Sequence, residues 1–459
     1  MNIIIVGGGK VGISIAERLS YEDHDITLID TDTDVLAEAQ ETLDVLTVEG
    51  NGAAIDTLRR ADAGKGDVLI AMTDADEKNL LACLSAKKLG CRHTMARVRD
   101  PQYSKHISFL RDDLGLSLAV NPEHAAANEI YRIIQFPSFL KRDSFDKGRV
   151  ELVEMKIAEG SPLDGKKLYE ASNILGLRVL ICAVERGDTV TIPNGSFTLK
   201  AGDRITVTAA RINLAELIKS LGLLRQKIRG VLIIGCGRVS EYLTDELLRS
   251  GVSVKVIEKN TKRAEEFQLR FPKALVINGN ASQRGFLESE GVENFDAVIT
   301  LTGIDEENLI ISMYCSHMGI KKTVTKIDRN EYARLFSGRD LGSVVCPKEL
   351  TANEIIRYIR AISNSGEDSI RALHRIVDGK AEALEFLVTE QTPNTEIPLS
   401  NLRFKPNVLI ACITRSNQVI IPNGSDVLRP GDTVIIVTTA DRTVGDLRDI
   451  FERDAVRGA

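Results

Sequence analysis

The amino-acid sequence repeats itself with a spacing of 228 or 229 residues, about half of its 459 residues. The glycine-rich segment GGGKVG at 7–12 returns as GCGRVS at 235–240, and IPNGS at 192–196 returns unchanged at 421–425. Unrelated neighbouring domains do not keep one offset along their whole length. The chain is therefore predicted to consist of two copies of one unit, fused in tandem.

The first part of each unit has the periodicity of an α/β domain. Up to about residue 140, short apolar runs alternate with segments whose apolar residues recur at helical spacing. The predicted strands are 3–6, 26–29, 45–48, 68–71, 94–98 and 116–120. Six strands with helices between them indicate a doubly wound, Rossmann-like parallel sheet.

The second part of each unit changes to an alternation of apolar and polar residues from about residue 150. Two apolar runs at 178–184 and 189–192 are joined by a short polar turn, which is typical of a hairpin. We expect a small α+β domain here. It should end in a helix, at 212–221 in the first unit and at 443–451 in the second.

These patterns predict four domains that alternate between a large and a small type. The predicted bounds are 1–141 and 227–366 for the Rossmann-like domains, and 142–226 and 367–459 for the small domains. The charged stretch 141–149 and the polar run 363–368 are the predicted junctions inside the two units.

Composition excludes several classes of function. Lysine and arginine total 59 against 65 acidic residues, for a net charge of −6, and both halves are mildly acidic, so no nucleic-acid partner is expected. No apolar run approaches the roughly 18 residues that a membrane-spanning helix needs. The seven cysteines include no CxxC pair, so reduced thiols without a zinc site are the simplest interpretation.

The first glycine-rich loop follows a predicted strand, precedes a predicted helix and is completed by Asp30. Gly7 permits a tight turn, Gly9 lets a pyrophosphate approach the backbone, and Gly12 allows close packing of the helix on the sheet. Asp30 is placed to accept hydrogen bonds from a ribose diol and would repel a 2′-phosphate, which favours NAD or ATP. The candidate binding residues of the loop are Gly7, Gly8, Gly9, Lys10, Val11 and Gly12. The alternative is a turn whose glycines serve packing only.

The second loop departs from this pattern, because Ser240 replaces the third glycine and Glu258 replaces the aspartate. The serine should hold helix and sheet slightly apart, and the glutamate reaches one methylene further, so the two sites should differ in affinity or nucleotide preference. The candidate binding residues are Gly235, Cys236, Gly237, Arg238, Val239 and Glu258.

Other loops at the carboxyl ends of the strands should complete each crevice. The candidates are Asn51, Thr73 and Asp74 in the first unit, and Asn280 and Thr302 in the second. Arg97, Arg99 and Lys326 end the fifth strands, where they could pair with phosphates or be solvated, locally paired charges. The apolar face around Ile130, on the last Rossmann helix, favours a subunit or domain-exchange contact over ordinary core.

Catalytic groups are not evident in the sequence. A hydride-transfer enzyme needs a positioned proton donor or base beside the nicotinamide, yet the six histidines show no repeated position. No nucleophile elbow, P-loop lysine motif or metal-ligand cluster occurs either. We therefore expect a protein that binds nucleotide and is not an enzyme.

Tandem GxGxxG units with Asp30 and Glu258, each followed by a module with IPNGS and then GD, resemble the TrkA family of potassium uptake proteins. The resemblance covers essentially the whole chain. It implies that each unit is a Rossmann-like domain, called RCK-N or KTN, followed by an RCK-C or TrkA-C domain. Gly7 to Val11, Asp30, Thr73, Asp74 and Arg97 to Arg99 match the family's first nucleotide site. Gly235 to Val239 and Glu258 match its second.

The resemblance also implies a function as a regulatory subunit. Such a subunit forms a ring on the cytoplasmic face of a membrane-embedded potassium transporter, TrkH or TrkG, under the control of NAD(H), ATP and ADP. Two alternatives remain open. A soluble NAD-dependent oxidoreductase would turn over its cofactor, and a ligand-sensing DNA regulator would bind duplex DNA in a salt-dependent manner, although the sequence lacks a helix-turn-helix segment and a basic face.

Overall fold

The computed structural model describes most of the chain. The described residues are 1–459 except 23, 101–102, 104–106, 136–140, 146–148, 222–227, 330–341, 364–369, 378–379, 440–443 and 457–459. The described part holds two six-stranded sheets, two five-stranded sheets and one two-stranded sheet.

The first six-stranded sheet is parallel throughout and has the strand order 3-2-1-4-5-6. Its strands are Asn2–Val6, Asp25–Asp30, Leu46–Glu49, Val68–Ala71, His93–Arg97 and Leu118–Val120. Its helices are Lys10–Ser20, Thr33–Thr42, Ile55–Arg60, Asp76–Leu89, Ile107–Leu110 and Pro122–Gln135. The central strand is apolar on both faces because helices cover both, and Ile3 and Ile5 are fully buried. The doubly wound sheet is confirmed.

The second six-stranded sheet repeats this order in the second unit. Its strands are Gly230–Ile234, Ser253–Glu258, Leu275–Asn278, Ala297–Thr300, Lys322–Lys326 and Ser343–Val345. Its helices are Arg238–Arg249, Thr261–Arg270, Arg284–Ser289, Asp305–His317 and Pro347–Ser363. The tandem duplication read from the sequence is therefore a duplication of the fold.

The small domains are built on antiparallel sheets. The first has strands Lys141–Phe145, Val150–Lys156, Leu180–Arg186, Thr189–Thr191 and Arg204–Ala210, with helices Leu168–Leu175 and Leu214–Ser220. The second has strands Ile370–Ile376, Ala381–Leu387, Val408–Arg415, Gln418–Ile420 and Thr433–Thr439, beside a two-stranded sheet of Leu402–Phe404 and Phe451–Val456. The predicted hairpin through Arg186 is confirmed, as is the closing helix of the first unit.

Two predictions about these domains are wrong. The stretch 141–149 was expected to be a junction, but Lys141–Phe145 is an edge strand that pairs antiparallel with Val150–Lys156. An edge strand tolerates charged residues because one side of it has no neighbouring strand. Of the polar run 363–368, Ser363 ends a helix and the rest lies outside the described residues.

The second error is the closing helix predicted at 443–451. The described part of that segment is a single turn of 3-10 helix, Leu447–Ile450, followed at Phe451 by a strand. Leu447 and Ile450 are both fully buried, and this i, i+3 spacing fits one turn as well as a longer helix. Phe451 then pairs with Phe404, with ring centroids 5.5 Å apart, which favours the extended backbone.

The last helix of each Rossmann-like domain packs on the other unit. The first exchanged helix, Pro122–Gln135, buries Ile130 and Ile133 in the core that contains Leu243 and Leu247 of the second unit. The second exchanged helix, Pro347–Ser363, buries four apolar residues in the core of the first sheet: Ala352, Ile355, Ile356 and Ile359. The domain-exchange contact is confirmed, and it occurs within one chain.

Candidate nucleotide crevices

Each Rossmann-like sheet has a crevice beyond the carboxyl ends of its strands, where the strand order reverses. The first crevice has a cavity volume of about 670 Å³ and the second about 880 Å³, both within the range of ligand sites. Parallel sheets of this type place ligands at this edge, next to the start of the helix that follows the first strand.

Glycine serves a different geometric purpose at each of the three motif positions of the first loop. Gly7 has a φ of +103°, and a Cβ there would lie 2.9 Å from the Met72 carbonyl carbon. At Gly12 a Cβ would lie 1.9 Å from the carbonyl oxygen of Gly7, so this position needs a glycine for packing. No atom lies within 4 Å of the Cβ position at Gly9, which faces the open crevice at the start of the helix. This open position leaves room for a phosphate beside the free backbone amides.

Asp30 holds the loop with both carboxylate oxygens. Its Oδ2 accepts a hydrogen bond from the Gly8 backbone N–H, and its Oδ1 accepts one from Asp32 N–H at 3.0 Å. Asp30 also lines the crevice, as the ribose-binding role requires, together with the predicted residues Asn51 and Thr73. Gly8 and Gly12, by contrast, support the crevice from behind and do not line it.

The loop after the fourth strand is fixed by a residue whose role the sequence did not reveal. Asn79 is fully buried, and its Oδ1 accepts hydrogen bonds from the backbone N–H and hydroxyl of Thr73 at 2.8 and 2.7 Å. Its Nδ2 donates to the Arg97 carbonyl at 3.0 Å. Asn308 makes the same bonds to Thr302 and Lys326 in the second unit. The only sequence signal was that this asparagine recurs at the repeat spacing.

The basic residues at the end of the fifth strand, Arg97 and Arg99, line the first crevice and also bond to the neighbouring loop. Arg97 donates to the Thr73 carbonyl, and its Nε is buried without a hydrogen-bond partner among the described residues. Burial, followed by the nearby charge of Arg99, lowers the pKa of Arg97. Arg99 donates to the Asp74 carbonyl and lies 3.9 Å from the carboxylate of Glu123. Two cations with unused donors at this edge can neutralise phosphates.

The second loop reproduces the first with adjustments. Gly235 again has a φ of +103°, and Glu258 accepts hydrogen bonds from Cys236 N–H and Asn260 N–H, both at 2.8 Å. The extra methylene of Glu258 therefore does not remove the contact to the loop. Burial, then the charge of Glu258, raises the pKa of the Cys236 thiol to about 12, so this thiol remains protonated at neutral pH.

Ser240 is accommodated at the start of the helix that follows the second loop. It is fully buried, and its hydroxyl donates to the Gly235 carbonyl at 2.6 Å. A side chain at the equivalent Gly12 has no such room, because its Cβ would lie 1.9 Å from the Gly7 carbonyl oxygen. That the serine also holds helix and sheet apart stays a prediction. The other predicted residues, Arg238, Val239, Asn280, Thr302 and Lys326, all line the second crevice, as do Gly235, Cys236, Gly237 and Glu258. Lys326 lies 3.1 Å from Asp328 and 3.3 Å from the Thr302 carbonyl.

Residues of the opposite unit also line the crevices. Val239, Lys326, Asp328, Pro347 and Lys348 of the second unit border the first crevice, and Glu123 of the first unit borders the second. Val239 and Lys326 were predicted for the second crevice only, and Glu123, Asp328, Pro347 and Lys348 were not predicted for either. No local sequence pattern indicates which unit an exchanged helix packs on. No group of three or more metal-ligating side chains occurs among the residues that the structure describes, and no helix there is long and apolar enough to cross a membrane.

The fold and the crevices define a class of protein with two Rossmann-like domains joined by exchanged helices, each followed by a small antiparallel domain. Comparison with known proteins gives the family. The TrkA-N domain matches residues 3–122 and 231–347, and the TrkA-C domain matches residues 152–222 and 384–452. The chain belongs to the TrkA family.

Relatives match over nearly the whole length of the chain. A Trk system potassium uptake protein TrkA homolog 2 of Methanosarcina mazei is 33% identical over 97% of this chain and 100% of its own. The Trk system potassium uptake protein TrkA of Halomonas elongata is 31% identical over 98% of this chain and 99% of its own.

Solved structures share the fold at low sequence identity. The crystal structure of the GsuK RCK domain has a TM-score of 0.62 at 16% identity, covering 96% of this chain and 92% of its own. The GsuK channel bound to NAD has a TM-score of 0.61 at 17% identity, covering 96% of this chain and 77% of its own.

Proposed function

We propose that this chain is a nucleotide-sensing regulatory subunit of a Trk-type potassium uptake system. The observation that carries the proposal is that both crevices lie at the junction of the two Rossmann-like domains and are lined by residues of both. A nucleotide bound there would contact both domains. Its affinity would therefore depend on how the two domains are arranged.

NAD(H), ATP and ADP are the proposed ligands. A neighbour of known structure is described as bound to NAD and another as bound to ADP, which supports an adenine nucleotide here. Asp30 in the first crevice and Glu258 in the second would accept hydrogen bonds from the ribose diol, and either would repel a 2′-phosphate. The glycine-rich loops would bind the phosphates through backbone amides. No redox or hydrolytic step is assigned to the chain, which we propose is not an enzyme.

The proposed partner is a membrane-embedded potassium transporter subunit of the TrkH or TrkG type. Relatives are named Trk system potassium uptake proteins, which supports a role in potassium transport. We propose that several copies assemble into a ring on the inner, cytoplasmic face of the cell membrane. We also propose the domain bounds 1–141, 142–226, 227–366 and 367–459, with no nucleic acid among the partners.

The mechanism would be a shift between arrangements of the two Rossmann-like domains. A ligand shifts such an equilibrium only by its difference in affinity for the two states. The exchanged helices would couple any movement of one domain to the core of the other, because each buries its apolar face there. The ring would then transmit the difference to the transporter.

Nucleotide titration with the transporter present tests this function. Purified chain would be added to transporter-containing vesicles, and NADH, NAD, ATP and ADP affinity would be measured together with potassium flux. We expect at least one nucleotide to change flux over the same concentration range in which it binds. Turnover of NAD(H) with an oxidisable substrate, without any effect on flux, would instead support the oxidoreductase alternative.

A further inference from the structure

The two exchanged helices begin with residues of opposite charge. Near these helices the spacing of the repeat shortens to 225 residues, so that Asn128-Glu-Ile aligns with Asn353-Glu-Ile and Pro122-Glu123 with Pro347-Lys348. Both helices start at the aligned proline, so Lys348 occupies the position of Glu123. A helix N-terminus carries a partial positive charge, which favours an acid in the first turn and disfavours a lysine. Glu123 follows this rule and Lys348 breaks it. Departures from local rules of this kind concentrate at functional sites.

Lys348 is held at the first crevice without an ionic partner of its own. It is half-buried and lines the crevice beside Pro347. Its side chain forms no hydrogen bond or ion pair with any residue in the described part of the chain. Its helix is fixed there by Arg18 of the first unit, which pairs with Glu349 at 3.4 Å and also donates to Asn353. A half-buried cation without a partner is poised to bind an anion.

The second unit joins the first crevice at its basic edge. Tyr242 of the second unit donates its hydroxyl to the Arg99 carbonyl at 3.3 Å, and it accepts a hydrogen bond from Asn121 at 3.0 Å. Lys326 of the second unit borders this crevice too. Cations from both units therefore line one crevice. Among the described residues, Glu123 is the one that the first unit contributes to the second crevice, and it lines the first crevice as well.

We propose that Lys348 binds the phosphate groups of the nucleotide in the first crevice, so that the first site is completed by the second unit. This inference rests on the proposed nucleotide-binding function and deepens it. A lysine that contacts the phosphates makes the affinity of the first site rise with the number of phosphates. At the second crevice the opposite unit contributes the acid Glu123 in place of this lysine. The second site lacks this cation.

The test measures nucleotide affinity in the full-length chain with the second site weakened by Glu258→Ala. ATP, ADP and AMP would be titrated by calorimetry into this parent, and into parents that also carry Lys348→Ala, Lys348→Glu or Lys348→Arg. We expect Lys348→Ala to weaken ATP binding about tenfold, ADP less and AMP less than about threefold, since charge-assisted hydrogen bonds to phosphate are lost. Lys348→Glu should weaken ATP binding further, and Lys348→Arg should keep ATP affinity close to that of the parent.

Controls separate this inference from a general effect. Lys273→Ala removes one exposed lysine of the second unit and should leave all three affinities unchanged. AMP binding reports that each variant is folded. Equal ATP affinity with and without Lys348, or an equal loss for ATP and AMP, would overturn the inference. If Asp30→Ala in the same parent leaves all three nucleotides bound, the proposed function itself fails.

Discussion

Tyr242 of the second unit and Arg99 of the first are joined by a hydrogen bond of 3.3 Å from the tyrosine hydroxyl to the arginine carbonyl. The Arg99 side chain lines the first crevice, while Tyr242 lies on the helix that supports the second glycine-rich loop. The His124 ring packs edge-on against Tyr242, with centroids 5.0 Å apart. A nucleotide that contacts Arg99 would therefore contact a residue that is hydrogen-bonded directly to the second unit.

Tyr242→Phe should weaken this link while keeping the ring in place. Two hydrogen bonds are lost, one to the Arg99 carbonyl and one from the Asn121 amide, at a cost of about 1 kcal/mol each. We expect the nucleotide-dependent part of potassium flux to fall, with ATP affinity in the first crevice changed less than about threefold. Flux assays and calorimetry on the same preparation measure both quantities. Unchanged regulation would show that the transmission follows another route.

Exchanging the residue at the third position of the glycine-rich loop should destabilise the first unit more than the second. Gly12→Ser places a Cβ at 1.9 Å from the Gly7 carbonyl and should destabilise the first Rossmann-like domain by about 3 kcal/mol. Ser240→Gly loses a hydrogen bond and helix propensity, which together cost about 1–2 kcal/mol. Thermal unfolding of the two variants gives the comparison. An equal loss of stability in the two variants would contradict the difference between the two loops.

Because the helices are exchanged, a mutation in the last Rossmann helix of one unit should lower the stability of the sheet in the other unit. Ile359 is fully buried among residues of the first sheet, so Ile359→Ala should cost about 2–5 kcal/mol there. Hydrogen exchange should show reduced protection of the strand Asn2–Val6, with little change in Gly230–Ile234. The matched variant Ile130→Ala should give the reverse. Loss of protection confined to the mutated unit would contradict the exchange.

The aspartate of each repeated GD sequence forms a salt bridge with an arginine, which should make the free energy of unfolding depend on pH. Asp203 accepts hydrogen bonds from Arg186 at 2.8 and 2.7 Å, and Asp432 accepts the same pair from Arg415. Burial favours the neutral Asp203 carboxyl, but the bonds from Arg186 and from the Lys200 backbone N–H outweigh it and lower the pKa of Asp203.

A lowered pKa means that Asp203 stabilises the fold above its unfolded pKa of about 3.9, and that this contribution is lost as pH falls through the folded value. Asp203→Asn should therefore cost about 1–3 kcal/mol at pH 7 and progressively less below about pH 4. Unfolding curves of both proteins across this range measure the difference. A difference that did not vary with pH would rule out the ionic contribution.

Much of the fold was readable from the sequence because local periodicity determines it. The strands of each parallel sheet, the turn at Gly7 and the acids Asp30 and Glu258 all follow from short-range patterns. The strand Lys141–Phe145 was missed because charged residues at a sheet edge resemble a linker. The helix predicted at 443–451 was too long, because two buried residues at i, i+3 do not define the length of a helix; the structure has one turn, Leu447–Ile450.

The long-range arrangement of the site was not readable in the same way. The apolar face around Ile130 looks the same whether it packs on its own sheet or on the other one. Lys348 and Glu123 were overlooked for the same reason, since their position at a crevice depends on the exchange of helices. The role of Asn79 needs the fold of two loops that are distant in sequence.

The central claim is that nucleotide bound beside Asp30 controls potassium flux, and Asp30→Ala tests it most directly. Calorimetry with NADH and ATP should be paired with potassium flux through the transporter, using Asp44→Ala as a matched control away from the crevice. We predict that Asp30→Ala weakens nucleotide binding in the first crevice and reduces nucleotide-dependent flux in parallel, with the control unchanged. Weakened binding with fully regulated flux would contradict the account.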